Sequence, residues 1–312
     1  MKALTILLGG LLAAASGFAA QPLLSPHELQ ARLSSPQLRV IDVRDAKAYA
    51  AEDIPGAVNA PYGLWRGPAA NPGELPPLPR LTQLVQSLGL GPSVHAVVVS
   101  SGADGTDFGA SARVYWTLKV LGVKELSVLN GGVKAWTDAR LALSKEAVSV
   151  AASSFQPALD MTLIASTEEV AQRVKSGDAL LVDARPAEFF LGETRAPAAK
   201  LPGTLPGAVN LQFDKWFAAG SGVFVPEAQA RRIAAASPVE PNRETVSFCN
   251  TGHWAATNWF ALSEVLGQKN VKLYPGSMVE WSRDPNLPMA NVPNRAAQLA
   301  IDARLWADKT LK

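Results

Sequence analysis

The sequence predicts an α/β architecture built twice along the chain, each copy a mostly parallel sheet flanked by helices. Three observations carry this. Short apolar, β-branched runs alternate with longer helical patterns. Glycines stop the main helical patterns, at Gly122 and Gly267. The same landmarks also recur in the same order about 145 residues later, the spacing of a duplicated domain and not of a solenoid.

The elements follow in order. Val40-Ile41-Asp42-Val43-Arg44 returns as Leu181-Val182-Asp183-Ala184-Arg185, so each half has a buried strand (Arg39–Val43; Ala179–Ala184) ending in Asp-x-Arg. Ile54-Pro55-Gly56-Ala57-Val58-Asn59 returns as Leu205-Pro206-Gly207-Ala208-Val209-Asn210, a turn leading into a short strand. A third apolar run (Ala96–Ser100; Thr245–Phe248) enters a loop, and an amphipathic helix comes next (Ala110–Leu121; Ala255–Leu266). A short strand (Leu126–Leu129; Val271–Tyr274), a glycine turn and a helix start at Trp136 or Trp281 close each copy.

These limits give a first domain over 22–148 and a second over 160–291. Ala, Ser and proline replace periodic residues in the join, Val148–Asp160. A C-terminal helix is expected over 292–312, where Ala297, Ala300, Ile301, Leu305 and Trp306 fall at helical spacing.

The first 19 residues read as an export signal. Lys2 supplies the charge, Ala3–Ala15 the apolar stretch, and Ser16-Gly17-Phe18-Ala19 the small residues for a cut after Ala19. The stretch falls short of the roughly 18–20 residues of a membrane span, and no later segment is apolar enough. A periplasmic or secreted protein with no membrane span in its mature chain is the expectation.

Lysine and arginine number 29 against 27 acids, for a net charge of +2, and no basic cluster or stacking motif appears. Nucleic acid is therefore not an expected partner. A small anion drawn by one local positive site remains open.

Cys249 is the only cysteine of the chain. It heads the loop Cys249-Asn250-Thr251-Gly252-His253-Trp254-Ala255, between the end of a strand and the start of a helix. An exported lone thiol has no internal disulfide partner and is open to oxidation, which favours a chemical role over inert packing. Sulfur chemistry needs the thiolate, and an ordinary cysteine is only ~3% ionised at neutral pH. Loop N–H groups and a helix start can stabilise the anion. Gly252 lets the backbone curl, and the small Ala255 leaves the helix start accessible. His253 either donates to a bound anion or bonds to backbone, and Trp254 either shields the site or packs.

Other thiol chemistries fit less well. A Cys–His protease dyad lacks an orienting acid, and His253 lies in the same loop. A cysteine phosphatase would carry a phosphate-gripping arginine where Ala255 stands. The three histidines and one cysteine show no ligand spacing, so no metal is expected.

Together, Asp-x-Arg at a strand end, Pro-Gly-Ala-Val-Asn, the Cys249–Trp254 loop followed by Ala255, and the glycine–Trp ending resemble the tandem-domain rhodanese sulfurtransferases, from about Ser25 to Asn291. The resemblance implies an inactive first domain and a second whose Cys249 carries a persulfide. It implies a small anionic donor such as thiosulfate, cyanide or a thiol as acceptor, and no cofactor. A persulfide carrier serving a protein acceptor, or 3-mercaptopyruvate as donor, are the alternatives. Asp183 and Arg185 would brace the loop or form a plain structural ion pair. The chain departs from the thiosulfate enzymes in its neutral loop and in Phe189, where those carry an arginine. Arg195 and Lys200 are the candidate cations for an anionic donor.

Overall fold

The computed structural model describes residues 20–146 and 148–310. The expected export segment lies outside these residues. The first domain forms β1 (Leu23–Leu24), α1 (Pro26–Gln30), β2 (Leu38–Asp42), α2 (Ala46–Ala51), β3 (Val58–Asn59), α3 (Leu78–Ser87), β4 (His95–Val99), α4 (Gly105–Val120), β5 (Leu126–Leu129) and α5 (Gly132–Asp138). The second forms α6 (Thr167–Ser176), β6 (Leu180–Asp183), α7 (Ala187–Phe190), β7 (Val209–Asn210), α8 (Glu227–Ala235), β8 (Thr245–Phe248), α9 (Trp254–Trp259), β9 (Val271–Leu273) and α10 (Ser277–Trp281). A last helix, α11 (Arg295–Thr310), follows.

Both sheets are parallel, in the orders β1-β5-β4-β2-β3 and β7-β6-β8-β9. Among the described residues, the second sheet has no full counterpart of β1. A single parallel bridge from Ile164 to Leu273 takes that place on β9. Their central strands, β4 and β8, are buried nearly throughout because both sheet faces are covered. In the register of β6 and β8, Asp183 stands beside Phe248, so Asp183 and Cys249 both lie at the C-terminal edge of the sheet. That edge is where parallel α/β sheets build their sites.

Two helices depart from the sequence expectation. The helix expected from Ala110 begins at Gly105, because the Asp104 carboxylate accepts the Asp107 N–H at 2.8 Å and caps a polar first turn. It is also buried on nearly every side, and not amphipathic, because the second domain covers the face that would meet water. The helix expected over Ala255–Leu266 is α-helical only to Trp259. It widens to a π-helical turn over Phe260–Val265, ahead of Gly267.

The helix α4 packs on α9 across the seam. Phe108 and Tyr115 of α4 meet Phe260 edge-on, at 5.6 and 5.1 Å between ring centroids. Buried residues of both domains, from Val98 and Trp116 to Trp259 and Cys249, form one continuous apolar cluster. A seam packed like a core fixes the two domains relative to each other. Among the described residues, no helix is long and apolar enough to cross a membrane.

Candidate active site

The site starts from the end of β8. Cys249 is the next residue, 1% exposed, and the chain turns through Asn250–His253 into α9. Gly252 makes the turn with φ +67°. A Cβ there would stand 2.4 Å from Arg113 Nη1 and 2.7 Å from Pro275 O, so neither the conformation nor the space admits a side chain.

One hydroxyl ties the loop together. Ser277 Oγ accepts the N–H groups of Cys249 and Gly252, each at 3.1 Å, and donates to Tyr274 O at 2.8 Å. Ser277 is fully buried and holds φ +52°. The matching residue of the first domain is Gly132, at φ +57°. A left-handed serine costs of order 1–3 kcal/mol in backbone strain, which the three hydrogen bonds of its hydroxyl offset.

The backbone frame is the same in both domains. Met278 N–H donates to Cys249 O and Val279 N–H to Asn250 O, both at 3.0 Å. In the first domain Val133 N–H donates to Ser100 O and Lys134 N–H to Ser101 O, both at 2.9 Å. Ser100 thus stands where Cys249 stands. Its loop is closed by an internal anion: the Asp107 carboxylate accepts the N–H groups of Gly102 at 2.6 Å and Ser101 at 3.3 Å.

Asp183 and Arg185 form a buried fork. Arg185 Nε donates to Asp183 Oδ1 at 2.8 Å and Nη2 to Oδ2 at 2.5 Å. Thr204 Oγ1 and Gly203 O complete the set. Arg185 Nη1 also reaches Asn250 Oδ1 at 3.3 Å, which links the fork to the loop. The first domain repeats the fork with Asp42 and Arg44 and has no cysteine beside it. In both copies an asparagine, Asn59 or Asn210, ties the strand end to the next strand through two carbonyls.

The rest of the site comes from the first domain. Arg66 Nη2 donates to Thr251 O at 2.9 Å, and Arg113 Nη1 to Gly252 O at 3.2 Å. A trans peptide points its N–H opposite to its C=O, so these bonds turn the N–H groups of Gly252 and His253 away from the guanidiniums. Burial pushes Arg113 down to about 9, with repulsion from Arg66 second, and it stays a cation at neutral pH.

His253 is held by the first domain at both nitrogens. Nε2 donates to Thr106 O and Nδ1 accepts from Tyr62 Oη, each at 2.8 Å. This is the neutral ring, and burial, then Arg66, pushes its pKa down to about 4. Gly109 of α4 makes the approach feasible, since a Cβ there would lie 2.8 Å from His253 Nε2. Trp254 stacks on Phe213 at 4.8 Å, meets Phe189 edge-on at 6.1 Å and donates to Thr106 Oγ1 at 3.3 Å. Ala255 is fully buried and its carbonyl accepts from Ser247 Oγ at 2.9 Å.

The structure thus gathers Cys249, Asn250, Thr251, Gly252, His253, Trp254 and Ala255 with Asp183 and Arg185. It does not gather Arg195. That guanidinium pairs with Asp302 of α11 at 2.8 Å and donates to Ala199 O at 2.6 Å, so its charge is spent on docking the last helix. Lys200 is exposed. The cations at the loop are Arg66 and Arg113, which the sequence reading missed along with Tyr62, Thr106 and Ser277. Two of these left a trace. Ser277 is a hydroxyl where the first copy has glycine, and Arg113 is a charge inside an apolar helical run.

The family model of the rhodanese-like domain matches residues 25–139 and again 166–284. A thiosulfate sulfurtransferase of Azotobacter vinelandii is 32% identical over 274 residues, covering 87% of this chain and 98% of its own. A thiosulfate sulfurtransferase of Pseudomonas aeruginosa is 30% identical over 85% of this chain and 96% of its own. A probable 3-mercaptopyruvate sulfurtransferase of the same organism is 31% identical over 86% and 97%. In fold, the chain matches a 3-mercaptopyruvate sulfotransferase of Escherichia coli with a TM-score of 0.73 at 24% identity, over 83% of this chain and 99% of that one. Two copies of the domain, one with a thiol at the strand end and one without, place the chain in the rhodanese-like family as a tandem-domain sulfurtransferase.

Proposed function

We propose that the protein moves a sulfane sulfur from a small anionic donor, thiosulfate first, to cyanide or a thiol through a persulfide on Cys249. The Cys249 thiolate attacks the outer sulfur of thiosulfate. The new S–S bond forms as the old one breaks, and sulfite leaves with the bonding pair. Cyanide then takes the outer sulfur as thiocyanate, and the pair returns to Cys249. No step calls for a redox cofactor or a metal.

The observation that carries this reading is the seat of Cys249: the end of a central parallel strand, in a loop tied by Ser277 and held from behind by two guanidiniums. Asn250, Thr251, Gly252 and Ala255 shape that seat, Asp183 and Arg185 brace it through Asn250, and His253 with Trp254 fastens it to the first domain. The relatives named thiosulfate sulfurtransferase support the donor. The reading includes export, with residues 1–19 removed and the mature protein acting in a periplasm or outside the cell.

The test is mass spectrometry after incubation with thiosulfate. Cys249 should gain one sulfur, lose it to cyanide and release thiocyanate, and Cys249→Ser should do neither. Undiminished sulfur transfer by Cys249→Ser would overturn the reading. A larger gain from 3-mercaptopyruvate than from thiosulfate would reassign the donor.

A further inference from the structure

Arg113 is a charge with no evident counter-ion. It is fully buried, at the centre of the seam. Its Nη1 and Nη2 donate to Gly252 O and Gly73 O, and its Nε has no partner. Arg66 is likewise bonded to a carbonyl, and its Nη1 is buried without a partner. Among the described residues, no carboxylate forms an ion pair with either one. Carbonyl dipoles solvate a guanidinium only in part, and an unpaired buried charge is destabilising. The partly buried Arg66 beside it adds repulsion. A fold keeps this arrangement when an anion is to be held nearby.

The surroundings offer few anions. Tyr62, from the turn before Arg66, is held neutral by burial. His253 is neutral and bonded at both nitrogens. From β6, Asp183 is consumed by Arg185, and from α10, Glu280 is consumed by Asn71 and Thr167. Asp104 stands at the start of α4, where it caps the helix. Cys249 is left, and it heads the loop whose Thr251 and Gly252 carbonyls Arg66 and Arg113 hold.

We propose that Arg113 and Arg66 of the first domain are the counter-charge for the sulfur anion on Cys249, as thiolate and as persulfide alike. The proposal rests on Cys249 being the sulfur carrier. Neither arginine needs to touch the donor. They act through the loop as positioning residues, by fixing the carbonyls of Thr251 and Gly252 and by setting a positive potential behind the sulfur. The domain without a thiol then supplies the charge that the neutral loop lacks. A segment of the first domain completes the hold: Arg283 donates to Ala70 O, Asn71 bonds Glu280 at 2.8 Å, and Gly73 lies so close to Pro275 O that a Cβ would stand 2.1 Å from it.

The lone cysteine makes the test direct, because thiolate absorbance in the ultraviolet reports Cys249 alone. The full-length protein is titrated as wild type, Arg113→Met, Arg113→Lys and Arg66→Met, with Cys249→Ser as the blank. The thiolate midpoint should rise by about one pH unit in Arg113→Met and by less in Arg66→Met, and Arg113→Lys should restore most of the shift. Sulfur transfer at neutral pH should fall about tenfold in Arg113→Met and recover as the pH is raised. An unmoved midpoint in folded Arg66→Met and Arg113→Met overturns the proposal, as does lost turnover that no rise in pH restores. Arg66 is only partly buried, so Arg66→Met decides the matter where Arg113→Met does not fold. Wild-type protein that titrates as expected but gains no sulfur on Cys249 overturns the sulfur-carrier reading instead.

Discussion

Ser277 and Cys249, 28 positions apart, meet through one buried hydroxyl: Ser277 Oγ accepts the Cys249 N–H at 3.1 Å. The same oxygen accepts the Gly252 N–H, so both ends of the turn hang from one atom.

Two substitutions separate the strain at Ser277 from its bonding. Ser277→Gly removes the left-handed strain together with the hydroxyl, and should change stability little while lowering turnover about tenfold. Ser277→Ala keeps the strain and leaves two buried N–H groups without acceptors, so it should lose about 1–3 kcal/mol as well as turnover. Thermal unfolding read beside kcat checks both. Normal kcat in Ser277→Gly would show that the hydroxyl serves the fold alone.

His253 makes the seam acid-sensitive. Its folded pKa of about 4 lies below the ordinary histidine value. Between pH 6.5 and 4 the unfolded chain binds a proton that the folded chain does not, so stability falls as pH falls through this window and levels off below it. His253→Gln should flatten that slope. Urea midpoints of wild type and variant across the window measure the difference.

Asp53 gives the opposite slope. It is 2% exposed, its Oδ1 has no partner, and burial, then Asp42, pushes it up to about 6. The folded chain holds a proton between 3.8 and about 6 that the unfolded chain has lost, so stability drops as pH rises through that interval. Asp53→Asn cannot ionise. It should stabilise the protein by about 1–3 kcal/mol above pH 6 and by nothing below pH 4. A pH-independent effect would remove ionisation as its cause.

The first domain should not be revived by a thiol alone. Ser100→Cys places a cysteine at the position equivalent to Cys249, but the Asp107 carboxylate already occupies the N–H groups of Ser101 and Gly102. In a Cys249→Ser background this variant should gain no sulfur from thiosulfate. Mass spectrometry on residue 100 reads the result.

The fold was legible because parallel strands and their glycine-stopped helices leave local patterns, and the repeat let each copy check the other. Cys249 and its loop were legible for the same reason: strand, thiol, glycine and helix are contiguous. The cations were not. Arg195 looked apt as a cation in the insertion before Pro206, yet it serves α11. Arg66 and Arg113 reach Thr251 and Gly252 across 185 and 139 positions, and no local pattern encodes which face of α4 the other domain will cover. The seam is a property of two domains meeting, and each domain's periodicity is silent about it.

The close passage of Gly109 beside His253 has a consequence for descent. An ancestral single domain could be duplicated and either copy later lost. Here the two copies are matched to each other at this contact. The second has an imidazole that needs a bare helix backbone to lie against, and the first has a glycine in mid-helix that has value only against that imidazole. Separating the halves would leave both surfaces of this contact without the partner they are shaped for.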